Sequence, residues 1–105
     1  MIAKTPEPPY YAVIFTTLRT KIEEGYIEMA QRMEKLAQEQ EGYLGIESAR
    51  EELGITVSYW ESLEAIKKWK NNVEHTEARI LGKELWYKQY QLRISKVERD
   101  YGFEK

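Results

Sequence analysis

His75 is the only histidine of the chain, and so the only side chain that titrates near neutral pH without a strongly perturbing environment. At helical spacing it neighbours three polar residues, Asn71, Asn72 and Arg79, which form a polar patch beside Trp69. A histidine in such a patch could accept a proton from a phenolic substrate or hydrogen-bond a substrate oxygen. The alternative is a structural role, in which it caps or bridges a helix bend. We take His75, Asn72 and Trp69 as the candidate catalytic residues.

Other side chains are candidates for holding a flat substrate. Trp69 and Ile66 could line a pocket, although a tryptophan at helical spacing is more often part of a core. Arg79 could pair with an anionic substrate group or with a surface glutamate, where such a pair contributes little. Asn71 could orient a substrate or belong only to the helix bend. The candidate substrate-binding residues are Tyr59, Ile66, Asn71, Arg79 and Trp86.

The density of aromatic residues suits either a planar ligand or a subunit interface. The residues concerned are Tyr59, Trp60, Trp86, Tyr87 and Tyr90. An interface is the favoured role for most of them.

Composition excludes several kinds of site. The chain has no cysteine and a net charge of -2 at pH 7, so it has neither thiol chemistry nor the basic surface that nucleic acid needs. It contains no glycine-rich phosphate loop, no paired zinc histidines and no calcium-type carboxylate cluster. Residues 1–9 lack a secretory signal, and no apolar run is long enough to cross a bilayer. We expect no metal or other cofactor, no nucleic acid or membrane partner, and a cytoplasmic location.

The order of elements indicates an α+β fold. Hydrophobic patterns predict strands over 10–18, 43–48, 55–60 and 86–97, with the middle two forming a hairpin. A helix is predicted between Gly25 and Gly42, with Ile27, Ala30, Met33, Leu36 and Ala37 on its inward face. A second helix follows the cap residue Ser62; Asn71 and Asn72 bend or break it before a helical stretch over 74–85, interrupted by Gly82. This order, βαββαβ, is typical of a ferredoxin-like antiparallel four-stranded sheet with helices on one side.

Two of the strands are apolar on both sides. In the first, Tyr11, Val13 and Phe15 alternate with Ala12, Ile14 and Leu18. The third strand is interpreted in the same way, with Val57 and Tyr59 on one side and Ile55 and Trp60 on the other. A sheet with one side open to water should alternate apolar with polar residues. Since the helices can cover only one side, a second copy of the chain is the simplest cover for the other, which predicts a homodimer.

Four segments carry a family resemblance: GYLGIES (42–48), ITVSYWESL (55–63), WKNNVEH (69–75) and RILGKELWY (79–87). Together they resemble the antibiotic biosynthesis monooxygenase family, over roughly 11–103. The resemblance implies a dimeric α+β barrel, in which two sheets pack face to face. On this basis the chain divides into an extended N-terminal arm (1–10), a domain of this family type (11–98) and a C-terminal tail (99–105).

The resemblance also implies an activity, that of a cofactor-independent monooxygenase, an oxidoreductase, acting on a small aromatic or phenolic molecule. In that setting Asn71 and Asn72 would orient the substrate or hold dioxygen. Haem-degrading members place an axial histidine ten residues after a helix tryptophan, a position that from Trp69 is Arg79, and they carry a first-strand asparagine that is missing from 11–18. Both departures count against haem degradation. The alternative from another class is a non-catalytic dimeric module, stress-related or binding a hydrophobic small molecule.

Overall fold

The computed structural model describes residues 1–105 and confirms the α+β class. Its strands are β1 (Tyr10–Arg19), β2 (Tyr43–Arg50), β3 (Leu53–Trp60) and β4 (Tyr87–Val97). Its helices are α1 (Tyr26–Gln38), α2 (Leu63–Lys70) and α3 (Val73–Leu81), and a π-helical turn, Gly82–Trp86, joins α3 to β4. The predicted order is confirmed, with the second helix divided in two.

The four strands form one antiparallel sheet in the order β2-β3-β1-β4. Tyr11 of β1 lies opposite Trp60 of β3, and Phe15 lies opposite Leu92 of β4. β2 and β3 form the predicted hairpin. This is the ferredoxin-like arrangement, in which β1 lies between β3 and β4.

The two sides of the sheet carry different residues, because paired residues of antiparallel strands point to the same side. The helices pack on the side that bears Tyr11, Val13 and Trp60. The other side, which we call the outer face, carries the pairs Ala12–Tyr59, Ile14–Val57, Thr16–Ile55 and Leu18–Leu53. The sequence interpretation of β3 is therefore wrong at Ile55, which shares the outer face with Val57 and Tyr59 because alternate residues of a strand share a side.

Helix α1 begins after Gly25, as predicted, but ends at Gln38 rather than at Gly42. The chain uses the residues between them to reverse direction into β2. Gly42 itself has a φ of 86°, a conformation that glycine adopts without steric cost. A Cβ atom at Gly42 would also lie 2.6 Å from the Cβ of Ala65, so glycine is needed for the close approach of α2 as well.

The inward face of α1 differs from the predicted one in its first turns. Ile27 and Ala30 are exposed, and the inward positions that are buried or half-buried are Tyr26, Met29, Met33, Leu36 and Ala37. Tyr26 sets this rotation, because its ring packs edge-on against Trp86 with 5.8 Å between the ring centroids. Tertiary packing thus decides which of two similar apolar stripes faces the sheet.

Capping residues fix the boundaries of α2 and α3. The Ser62 hydroxyl accepts a hydrogen bond from the backbone N–H of Ala65 at 3.0 Å, which confirms the predicted N-cap. Asn71 ends α2, and the Oδ1 of Asn72 accepts from the N–H of His75 at 3.1 Å to start α3. The predicted break at these two residues is confirmed.

The segment after α3 differs from the predicted helical stretch over 74–85. α3 ends at Leu81, and the chain continues through the π-helical turn to Trp86. The last strand therefore begins at Tyr87, one residue later than predicted. Trp86 lies at the end of the turn, and its indole Nε1 donates to the Glu24 carbonyl at 3.0 Å.

The enclosed core is small and lies between the helices and one end of the sheet. Trp60, at 0% exposure, is its centre, and Ala37, Ala65 and Ile66 surround it. Trp86 is also buried, at the other end. Among the five aromatic residues for most of which an interface was favoured, Trp60 and Trp86 do not have that role, because both are enclosed within a single chain.

The chain termini both reach the outer face. The backbone N–H of Ala3 donates to Oε2 of Glu47 at 2.8 Å, which holds the N-terminal segment against β2. The hydroxyl of Tyr10 donates to the Asp100 carboxylate, which holds the C-terminal segment beside β1. None of the helices combines the length and the apolar character that crossing a bilayer would require.

Candidate active site

The helix side of the sheet is only partly covered. Beyond the core, the helices leave Leu92 and Ile94 of β4 46% and 51% exposed, although both point to the helix side with Phe15 and Val13. Two half-buried groups of aromatic residues bound this apolar surface, one around Trp69 and His75 and the other around Tyr26 and Tyr87. A planar apolar ligand would find an uncovered contact area here.

Trp69 and His75 form a stack at one end of this surface. Their ring centroids are 4.1 Å apart with an angle of 10° between the planes, and Trp69 stacks in turn on Trp60 at 6.1 Å. The break between α2 and α3 creates the stack: Asn72 caps α3 and so turns its first residues back over the end of α2. The sequence therefore brings together the three predicted catalytic residues, Trp69, Asn72 and His75.

The hydrogen bonds of His75 define its tautomer. Its Nδ1 lies 2.9 Å from the backbone carbonyl of Trp69, and a carbonyl can only accept, so Nδ1 carries the proton. In the neutral ring the lone pair is then on Nε2. Nε2 makes no hydrogen bond within the chain and is not an enclosed atom, so it is open to a ligand or to water.

The protonation state of His75 follows from its surroundings. Burial lowers its pKa below the ordinary 6.5, because the charged ring loses hydration. The hydrogen bond to Trp69 opposes this shift, and the positive charge of Arg79 adds to it. His75 is therefore neutral at pH 7, with a free acceptor nitrogen beside an indole face.

The other predicted residues on the helices differ in how far they are buried. Arg79 lies one turn after His75, half-buried, with Nη1 3.4 Å from the Lys70 carbonyl. Asn71 is exposed where α2 ends, and Ile66 is buried in the core. Arg79 and Asn71 are therefore accessible to solvent at this end, whereas Ile66 belongs to the core cluster against which Trp69 packs.

Tyr59 and Trp86 lie away from His75. Tyr59 is on the outer face, where its hydroxyl donates to Oε1 of Glu47 at 2.6 Å. Burial, together with that carboxylate, raises the pKa of Tyr59 to about 12. Trp86 is enclosed at the far end of the helix side. The structure therefore does not bring these two predicted substrate-binding residues together with the stack.

Comparison with known proteins decides the family. The model of the family described as antibiotic biosynthesis monooxygenase matches residues 9–79. The chain belongs to this family. The match spans β1 to most of α3 and includes Trp69, Asn72, His75 and Arg79.

Individual proteins similar to this chain include one sequence relative and several solved structures. The uncharacterized protein YqjZ of Bacillus subtilis (strain 168) is 49% identical over 105 residues, covering 98% of this chain and 92% of YqjZ. SnoaB, a cofactor-independent oxygenase from Streptomyces nogalater, superposes with a TM-score of 0.75 at 8% identity, covering 89% of this chain and 97% of SnoaB. A Mycobacterium tuberculosis protein superposes with a TM-score of 0.76 at 10% identity, covering 89% and 99%. At these identities the two structures establish a shared fold.

A second cluster combines two residues of the segment that matches the antibiotic biosynthesis monooxygenase family with two residues beyond it. We call it the aromatic cluster: Phe15, Tyr26, Tyr87 and Tyr90. Tyr87 lies 5.5 Å from Phe15 and 6.1 Å from Tyr26 between ring centroids, and Phe15 lies 5.3 Å from Tyr90. Two guanidinium groups, those of Arg19 and Arg50, lie close enough to Tyr87 to act on its pKa. Sequence patterns had no signal for this cluster except aromatic density, because α1, β1 and β4 meet only through the fold.

Proposed function

We propose that the chain is a cofactor-independent monooxygenase that oxidises a planar phenolic or quinol-like molecule on the helix side of its sheet. The observation that carries the proposal is the neutral His75, whose Nδ1 is held by the Trp69 carbonyl while Nε2 is free beside the indole ring. The proposal is supported by the family assignment and by the fold shared with SnoaB, a cofactor-independent oxygenase.

The chemistry needs little more than a base and a dry, flat surface. Nε2 of His75 accepts a proton from the substrate, and the resulting electron-rich anion reduces dioxygen, forming a carbon–oxygen bond. His75 returns the proton to the peroxide oxygen, and loss of water leaves a carbonyl. For a substrate methylene the balance is R2CH2 + O2 → R2CO + H2O. The protein contributes deprotonation, orientation by stacking on Trp69, and partial exclusion of water.

Oxygen uptake tests this proposal directly. Purified protein, dialysed against EDTA, is incubated with anthrone-type and quinol substrates under 18O2. We expect one dioxygen consumed for each product molecule, with one labelled oxygen in that product and no loss of rate after dialysis. Uptake no faster than that of the substrate alone, across the panel, would contradict the proposal.

A second function, holding an aromatic ligand without turning it over, is favoured by one observation. The polar groups beside the stack are already engaged, since Asn72 Oδ1 caps α3 and the Trp69 carbonyl accepts from His75. Few groups then remain to orient dioxygen. Saturable binding of the same panel without oxygen uptake would support this second function over the first.

The protein also acts, in this proposal, as a homodimer through its outer face. Members of the family are commonly dimers. Within a single chain Leu53 and Ile55 of the outer face are 47% and 40% exposed, beside the half-buried Ile14 and Val57. A contiguous apolar patch of this kind is characteristic of an interface.

We expect Ile55→Asp to weaken dimerisation by about 100-fold or more, because an unpaired carboxylate would have to enter an apolar interface. Sedimentation equilibrium measures the change. The matched control is Ile27→Asp, which makes the same replacement at an exposed position of α1. A monomeric wild type at micromolar concentration, or equal effects of the two substitutions, would contradict the dimer.

A further inference from the structure

Arg50 has an unusual position at the end of β2. It lies opposite Gly54 of β3, and its guanidinium occupies the space where a Cβ atom of residue 54 would be. Only glycine leaves room for it. Lying across Gly54, the guanidinium donates to the hydroxyl of Thr17, a buried residue of β1 on the helix side of the sheet. This hydrogen bond directs the exposed side chain of Arg50 across β3 toward β1.

The guanidinium of Arg50 has no carboxylate partner. The two ion pairs of the chain join Arg32 to Glu74 and Lys68 to Glu64, both away from β2. Glu51 and Glu52 follow Arg50 directly, yet neither lies within ion-pair distance of it. A guanidinium with free N–H groups is suited to a planar anion, which it can bind through two parallel hydrogen bonds.

The aromatic cluster lies beside this guanidinium, because Thr17, which accepts its hydrogen bond, lies opposite Tyr90 and on the same side of β1 as Phe15. The guanidinium of Arg19 covers the Tyr26 ring at 3.4 Å and donates to the carbonyls of Trp86 and Ile22, so it is already occupied. Arg50 is the available cation. Burial raises the pKa of Tyr87, the Tyr26 hydroxyl raises it further, and both arginines lower it, which agrees with two positive charges facing this hydroxyl.

We propose that Arg50 recognises a carboxylate on a planar aromatic ligand whose rings lie against Phe15, Tyr87 and Tyr90. The proposal rests on the proposed function for the expectation that the ligand is aromatic, and it adds that the ligand is an acid. Charge complementarity selects this occupant, because the Arg19 guanidinium covers Tyr26 of the cluster, the Arg50 guanidinium binds Thr17, and neither has a carboxylate partner.

The distance to His75 limits the shape of the ligand. Gly54 and Trp60 mark the two ends of the helix side along β3, and six residues at a rise of about 3.3 Å separate them by roughly 20 Å. Between them the floor consists of the small residues Thr56 and Ser58. The Arg50 guanidinium stays level with Gly54, because its partner Thr17 lies opposite Gly54, so a ligand that also contacts the Trp69–His75 stack must be an elongated polycyclic acid.

A matched pair of ligands tests the proposal. Anthraquinone-2-carboxylate and anthraquinone-2-carboxamide differ in charge but hardly in shape, and both quench tryptophan fluorescence, which gives their dissociation constants. We expect wild-type protein to bind the carboxylate about 10-fold more tightly or better. Arg50→Gln should reduce this preference to near parity without changing the affinity for the carboxamide. Arg99→Gln, an exposed arginine of the C-terminal tail, should keep the full preference.

Two results would overturn the proposal: equal or absent binding of the two ligands by wild-type protein, or an unchanged preference in Arg50→Gln. Arg50→Lys keeps the charge but loses the two parallel hydrogen bonds, so it should retain an intermediate preference for the carboxylate. This variant replaces Arg50→Gln in the test if Arg50→Gln does not fold. Binding requires no turnover. Missing oxygen uptake with an intact carboxylate preference would therefore reject the proposed reaction and keep the assigned role of Arg50.

Discussion

His75→Ala is expected to slow oxygen uptake by about 10²–10⁴-fold, the usual contribution of a positioned general base. The reason is specific to Nε2, the nitrogen left free when the Trp69 carbonyl holds Nδ1. The measurement is kcat with the best substrate of the anthrone and quinol panel. Since His75 is half-buried and outside the enclosed core, the variant should keep the circular dichroism spectrum of the wild type.

The pH profile separates catalysis from structure. Burial lowers the pKa of His75 below 6.5, so the neutral base is present above that pKa and is lost as the pH falls through it. The wild-type rate should therefore fall on the acid side, and His75→Ala should lack this limb. Glu77→Ala, an exposed change on the same helix, is the control and should keep both rate and profile. An unchanged rate in His75→Ala would remove the role assigned to the histidine.

The Trp69–His75 stack could be predicted from the sequence because its determinants are local. Asn71 and Asn72 break the helix, and the asparagine that breaks it also caps the next one. Within six residues these signals bring the histidine back over the tryptophan. The same holds for the cap at Ser62 and for the hairpin between β2 and β3, where nearby residues determine the turn.

Other parts of the site depend on contacts that local patterns do not contain. Tyr59 was assigned to the substrate site, yet it pairs with Ala12 on the outer face. In a strand, a shift of the pairing by one residue moves every side chain to the opposite side of the sheet. The error at Ile55 is of another kind, because alternation along the strand already puts Ile55 on the side of Val57 and Tyr59. Trp86 was expected near the stack, but the π-helical turn carries it to the other end of the helix side.

The Arg50 site shows the strongest dependence on long-range pairing. By sequence, Arg50 belongs to a run of charged residues typical of a solvated turn, and Gly54 to the start of a strand. Only the β2–β3 register places them opposite each other, and only the β1–β3 register brings Thr17 beneath the guanidinium. A cation on one strand whose position depends on residues of two others has no signature in the spacing of any one of them.

Trp60→Ala is expected to lower the free energy of unfolding by about 3–5 kcal/mol, the range for removing a buried large aromatic side chain. Trp60 is fully enclosed, contacts Tyr43 edge-on at 5.6 Å and stacks on Trp69. A domain of this size has a total stability of about 5–15 kcal/mol, so the loss is a large part of it. Urea unfolding followed by circular dichroism at a fixed protein concentration gives the change.

Two further variants serve as comparisons: Trp60→Phe is a milder change at the same position, and Leu63→Ala is the control. Phenylalanine keeps most of the ring but loses the hydrogen bond from the indole Nε1 to the Ser58 hydroxyl, 2.9 Å long, so it should cost about 1–2 kcal/mol. Leu63 is mostly exposed on α2, and its truncation should cost little. A midpoint for Trp60→Ala no lower than that of Leu63→Ala would contradict the central position of Trp60. Because Trp69 rests on Trp60 and His75 rests on Trp69, Trp60→Phe should also weaken binding of aromatic ligands at the stack, which links the stability of the core to the proposed chemistry.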